Sequence, residues 1–125
     1  MNKKCILVID DEQDMLYAVK LQLEACHYKV LTAQDGQEGL NIARKEAPDL
    51  VILDLMLPKL DGYKVCRLLK FDKKYSAIPI IMFTARAQQE DEKLGYEVGA
   101  NAYITKPFDP KKLLGKIKEL LGETS

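Results

Sequence analysis

An excess of one charge is the first thing this sequence lacks. Lys plus Arg and Asp plus Glu each number 19 in 125 residues, so the formal net charge is zero. Domains that grip a phosphate backbone by bulk charge are usually basic, so direct nucleic-acid binding is not expected, although local patches remain compatible with neutrality. Cysteine is sparse. Cys5, Cys26 and Cys66 are odd in number, far apart and without a C-x-x-C step. That argues against a structural zinc site or a disulfide framework and points to a reducing cytoplasm. Histidine occurs once, as His27, with no neighbouring His or Cys to complete a ligand pair, so a surface or helix-end position is expected. No apolar run approaches membrane-spanning length, and MNKKCILVIDDE turns acidic too soon for a signal peptide, so no membrane association is expected. The P-loop pattern G-x-x-x-x-G-K-[ST] is also missing, which removes one class of nucleotide hydrolase.

What is present is an alternation. CILVI (5–9), LVILD (50–54) and IPIIMF (78–83) are near-continuous apolar runs, as expected of central parallel strands covered on both faces. KVLTA (29–33) is more mixed and AYIT (102–105) shorter, which suits positions nearer an edge. Five segments of helical period lie between and after them. The first carries Leu16, Val19, Leu23 and Cys26 on one face. The second follows Asp35-Gly36 with Leu40, Ala43 and Ala47, and stops before Pro48. The third follows Asp61-Gly62 with Val65, Leu68 and Leu69. A fourth, over 88–97, has a thin apolar face of Leu94 and Val98. The last opens on Asp109-Pro110, an N-cap with proline at the first helical position, and carries Leu113, Leu114, Ile117, Leu120 and Leu121. Five β-α units without a linker predict one α/β domain over 1–125. The sheet is expected to be doubly wound, parallel and five-stranded, flavodoxin-like with strand order 2-1-3-4-5.

In such sheets function collects at the carboxyl ends of the strands. The first strand ends at Asp10-Asp11, the third at Asp54, the fourth at Thr84 and the last at Lys106-Pro107. Each has an ordinary explanation: acids favour the positive end of a helix, and caps and solvated lysines are common. Together they place three carboxylates, a hydroxyl and an ammonium at one sheet edge. A hard cation such as Mg²⁺ takes oxygen ligands and would relieve the repulsion of Asp10, Asp11 and Asp54. Lys106 and Thr84 could then receive the oxygens of a phosphoryl group, and Asp54 could act as a nucleophile forming an acyl phosphate. Glu12 is read as a first-turn helix acid outside this site.

At these residues the sequence resembles a two-component response-regulator receiver domain of the chemotaxis-regulator type. The signature stretches are VIDDE (8–12), DLVILDLMLPKLDGYKVCR (49–67), IPIIMFTA (78–85) and GANAYITKPFD (99–109). The resemblance implies that Asp54 accepts a phosphoryl group from a sensor histidine kinase or phosphotransfer protein. It implies Mg²⁺ held by Asp11, Asp54 and the backbone carbonyl of Met56, with Asp10 acting mainly through water. Thr84, Lys106 and the backbone N–H of Ala85 would contact the phosphoryl group, behind a cis Lys106-Pro107 bond, and the domain would catalyse its own phosphotransfer and slow dephosphorylation. Tyr103 would be the aromatic switch partner of Thr84. Side chains at Met56 and Arg86 would tune the acyl-phosphate lifetime, with apolar Met56 hindering water.

The stretch LMLPKLDG most resembles receivers that precede a winged-helix DNA-binding domain. A downstream output protein or a C-terminal output domain is therefore implied. Those receivers commonly dimerise through acids at the entry to the last strand, where Asn101 and Ala102 stand here, so that salt-bridge network is not expected. A phosphorylation-dependent dimer stays open, as does a stand-alone regulator. Two rivals share parts of the pattern. A flavodoxin-like cofactor binder would need a phosphate-cradling loop where Asp10, Asp11 and Glu12 would repel an anion. A Mg²⁺-dependent aspartyl-phosphate phosphatase of the haloacid dehalogenase type would need a second acid where Met56 stands.

Overall fold

The computed structural model describes residues 3–84, 99–106 and 108–123. Strands β1 (Cys5–Ile9), β2 (Lys29–Ala33), β3 (Leu50–Asp54), β4 (Ile80–Thr84) and β5 (Ala102–Thr105) form one parallel sheet ordered β2-β1-β3-β4-β5. Helices α1 (Gln13–Ala25), α2 (Gly36–Glu46), α3 (Gly62–Lys70) and α4 (Pro110–Leu121) are described around it. The expected helix over 88–97 lies outside the described residues, as do Ala85, Arg86 and Pro107 with its peptide bond.

The apolar runs become central strands because both faces of the sheet are covered. Successive strand side chains point to opposite faces. Ile6 and Val8 of β1 accordingly join Ile52, Ile81 and Phe83 in a layer sealed by Leu16, Val19 and Leu23 of α1 and Leu113 and Ile117 of α4. Leu7 and Ile9 join Val51, Leu53 and Met82 in the opposite layer, under Leu40 and Ala43 of α2 and Val65, Cys66 and Leu69 of α3. Each fully buried aliphatic side chain stabilises the fold by about 1.5–3 kcal/mol. The two mixed or short strands, β2 and β5, occupy the edges as expected.

Three positions differ from the sequence expectations, each for a local reason. Strand β4 begins at Ile80 rather than Ile78, because Pro79 has no N–H to give to a ladder, and pairing continues to Thr84 opposite Thr105. Leu68 is exposed on α3, and Cys66 takes the core position that the helical period reserves beside Val65 and Leu69. Ala47 does not join the α2 face. It is the C-cap in the left-handed region at φ 45°, immediately before Pro48, which disfavours a helical predecessor. His27 is exposed just beyond the C-cap of α1, and the three cysteines are free.

Side chains at the N-terminal end of the sheet fix the strand starts. The Cys5 N–H donates to Asp49 Oδ2 at 2.7 Å, and the Ile80 N–H donates to Asn101 Oδ1 at 3.0 Å. Asn101 thus serves an internal strand junction.

Candidate functional site

At the carboxyl edge of the sheet, the chain carries its polar groups in the last ladder pair, as at Asp54 and Thr84, or just past it, as at Asp10 and Lys106. The Asp10 N–H still donates to the Ala33 carbonyl at 3.0 Å, so β1 holds Asp10 rigidly at its exit. Asp10 is 1% exposed, and its Oδ1 accepts from the N–H of Glu12 at 2.9 Å. Asp54 closes β3 and is 6% exposed. Its Oδ1 accepts from the Met56 N–H at 3.2 Å, which orients the carboxylate toward the loop leading into α3. That loop is pinned at its far end: Asp61 caps α3, accepting from the Lys64 N–H, and the Gly62 N–H donates to the Leu55 carbonyl at 3.1 Å. A side chain at Gly62 would collide with the Asp54 carbonyl and with Leu55, so only glycine lets α3 start this close to the end of β3.

Lys106, the residue after β5, reaches across to these acids. Its Nζ lies 2.7 Å from Asp10 Oδ2, 3.3 Å from Asp54 Oδ2 and 3.5 Å from Glu12 Oε1. The first two are sheltered contacts and the third sits at an exposed rim. Burial pushes the Asp54 carboxyl up from 3.8 to about 6, helped by the negative charge of Asp10 and opposed by the Lys106 ammonium. Burial alone would lower Lys106. The hydrogen bond from its ammonium to Asp10 and the charges of Asp54 and Asp10 outweigh that, so it is held above its ordinary value. The result is a cation shared by acids that repel each other, in a partly desolvated cleft.

Among the described residues, Asp10, Glu12 and Asp54 offer carboxylate oxygens that all lie within 4.8 Å of one another. An all-oxygen set of this kind suits a hard divalent cation better than a soft one. One expectation changes here. Glu12 is not a first-turn acid: it is the N-cap residue of α1, makes no side-chain cap bond, and turns its carboxylate toward Lys106. Asp11 is exposed and outside that trio. No local pattern reveals the role of Glu12, because its partner is 94 residues away.

The remaining predicted residues that the structure describes fall at the same edge or near it. Thr84 ends β4 opposite Thr105, next to β3 in the sheet, and its side chain is outside the described set. Tyr103 lies one strand further out, half-buried, with its ring against the α2 and α3 layer. Met56 follows Asp54 by two residues and its side chain is 76% exposed. An open cavity of about 420 Å³ lies elsewhere, between α1 and β2, lined by Gln13, Tyr17, Lys20 and Gln34 among others, and does not include Asp54.

Comparison with known proteins agrees with this geometry. Residues 6–118 match the family model of the response regulator receiver domain. The chain is 47% identical over 121 residues to the alkaline phosphatase synthesis transcriptional regulatory protein PhoP of Bacillus subtilis, covering 97% of this chain and 49% of that protein. It thus spans about half the length of the curated relatives it matches. A crystal structure of a response regulator from Chloroflexus aurantiacus superposes with a TM-score of 0.93 at 33% identity, over 98% of this chain and 100% of that one. The receiver domain of the sensor histidine kinase PA1611 from Pseudomonas aeruginosa, solved with a magnesium ion coordinated in its active-site cleft, superposes with a TM-score of 0.90 at 28% identity. That match covers 98% of this chain and 100% of that one. The chain belongs to the response-regulator receiver family.

Proposed function

We propose that this receiver accepts a phosphoryl group on Asp54 from the phosphohistidine of a sensor histidine kinase or phosphotransfer protein. The observation that carries the reading is the placement of Asp54, buried at the end of β3 and 3.3 Å from the Lys106 ammonium, with Asp10 held beside it. An Asp54 oxygen attacks phosphorus as the bond to the donor imidazole breaks, leaving a mixed anhydride on the protein. The carboxyl is ionised above about 6, so the nucleophile is available at neutral pH. Lys106 balances charge on the phosphoryl oxygens. Thr84 and the Ala85 N–H are assigned the remaining oxygens.

Mg²⁺ suits an edge whose acids offer only oxygen, and Asp11, Asp54 and the Met56 carbonyl are its proposed ligands, with Asp10 acting mainly through water. When bound, the ion would screen the approach of an anionic donor to Asp54 and offset charge at the transferring group. Asp11 is exposed to solvent, which suits a ligand of a hydrated ion, whereas Asp10 is engaged by Lys106. Met56, in place of a second acid, leaves the dehalogenase-type phosphatase reading without its acid.

Residues 1–125 are taken as a single receiver working in the cytoplasm, with Tyr103 responding to the state of Asp54 through Thr84. Its output is assigned to an effector domain or partner, since the PhoP relative is a transcriptional regulator about twice as long as the matched segment. The test is intact-mass analysis after incubation with acetyl phosphate. One phosphoryl group should be added with Mg²⁺, little with EDTA, and none to Asp54→Asn. Modification that persists in Asp54→Asn would remove Asp54 from this role.

A further inference from the structure

Helix α3 begins at the site loop, and along it and the turn that follows runs a charge excess that phosphotransfer does not use. From Lys64 to Lys74 five cations stand against one acid, Asp72, in a chain whose total charge is zero. Lys70 is tied into the fold, its Nζ donating to the Ser76 and Ile78 carbonyls at 3.2 and 2.6 Å, which leaves four on the surface. Lys64, Arg67, Lys73 and Lys74 are all exposed. Between them stand Phe71, 72% exposed, and Leu68, 38% exposed, three residues apart and therefore neighbours on the helix surface.

Helix electrostatics accounts for only part of this. Arg67 and Lys70 suit the negative C-terminal end of α3, but Lys64 stands in the first turn, where the macrodipole disfavours a cation. Among the described residues, Lys64, Arg67, Lys73 and Lys74 make no salt bridge. Asp72 is turned inward on its own turn, accepting from the Lys74 N–H at 3.0 Å. An aromatic ring left in water among cations that no described acid neutralises has the form of an interface anchor with a charged rim.

We propose that the C-terminal half of α3 and the turn after it, through Lys74, form a docking surface for an acidic protein segment that brings an apolar side chain to Phe71 and Leu68. Charge complementarity sets the sign of the partner. The convex, two-residue apolar anchor favours a polypeptide. An anionic bilayer would call for a broader apolar face, and a nucleic acid for a more basic domain.

The probe is a synthetic amphipathic peptide alternating Glu with Leu, titrated into ¹⁵N-labelled protein and followed by amide chemical shifts. Its controls are a peptide of Glu and Ser, a single-stranded oligonucleotide, and phosphatidylglycerol vesicles. The Glu-Leu peptide should shift residues 64–76 ahead of the rest of the chain and bind more weakly as salt rises. Phe71→Ser, and separately Lys73→Glu with Lys74→Glu, should each weaken binding about tenfold or more. All three positions are exposed, and an unchanged amide spectrum outside the patch confirms that each variant is folded. Shifts mapping elsewhere, variants that bind like wild type, equal binding of the Glu-Ser peptide, or no binding at millimolar peptide would each overturn the proposal. Tighter binding of the oligonucleotide or the vesicles would overturn it too, by giving the surface a different occupant.

Discussion

Exchanging Asp54 for asparagine should stabilise the metal-free, unphosphorylated protein at neutral pH, by an amount that depends on pH. In the fold, burial and the charge of Asp10 raise the Asp54 carboxyl from 3.8 to about 6. A tenfold change in proton affinity is worth about 1.36 kcal/mol, which puts the cost of ionised Asp54 at no more than about 3 kcal/mol. Solvent at the cleft mouth screens part of that, and the substitution also takes one partner from Lys106, so about 1–2 kcal/mol is the expected net gain. The sign follows from proton counting. Between the unfolded and folded values the native state holds more proton than the unfolded state, so wild-type stability falls as pH rises through that window. Below it Asp54 is neutral in both states and the cost vanishes. Urea denaturation in EDTA, run on both proteins from about pH 4 to about pH 8, should show a gap that opens between those limits and then levels. A constant gap, or an asparagine variant less stable than wild type at about pH 8, would refute the claim that ionised Asp54 is held at a cost.

Three further outcomes follow from the same geometry. Lys106→Ala leaves Asp10 and Asp54 facing each other without a counter-charge, so metal-free stability should drop by about 3 kcal/mol and Mg²⁺ should restore most of it, read by thermal melts with and without the ion. Mg²⁺ should still bind this variant, while partner binding by its phosphorylated form falls below wild type. Met56→Asn puts a polar group beside the acyl phosphate in place of an exposed apolar one, and the phosphoryl group should be lost faster in a mass-spectrometric time course. Gly62→Ala forces a methyl group against the Asp54 carbonyl and Leu55, which should cost about 1–3 kcal/mol in urea melts and slow phosphorylation as well.

Much of the fold is legible in the sequence because parallel strands covered on both faces read as plain apolar runs, and β1, β2, β3 and β5 begin and end where those runs do. The start of β4 is not, because hydrophobicity counts Ile78 and Pro79 as strand, whereas a ladder counts N–H groups. Side-chain type alone favours Leu68 over Cys66 as a core residue. The stripe Gly62, Val65, Cys66 and Leu69, at steps of three and four, carries the correct answer. The site is legible as a set of strand ends, since topology alone brings Asp10, Asp54 and Lys106 to one edge. The order within it is not. Which acid takes the lysine depends on side-chain reach across 96 residues of sequence, and that reach pairs Lys106 with Asp10 and draws in Glu12 while Asp11 stays in solvent.

The central claim is that one carboxylate, Asp54, carries the phosphoryl group. The most direct measurement is to phosphorylate the protein with acetyl phosphate and Mg²⁺, reduce the product with borohydride, and map peptides by tandem mass spectrometry. Borohydride converts an aspartyl phosphate to homoserine, so the modified residue is marked permanently. The account predicts homoserine at position 54 and aspartate retained at positions 10, 11 and 61. Homoserine at any of those three, or a phosphoryl group found on a hydroxyl or on His27, would contradict it.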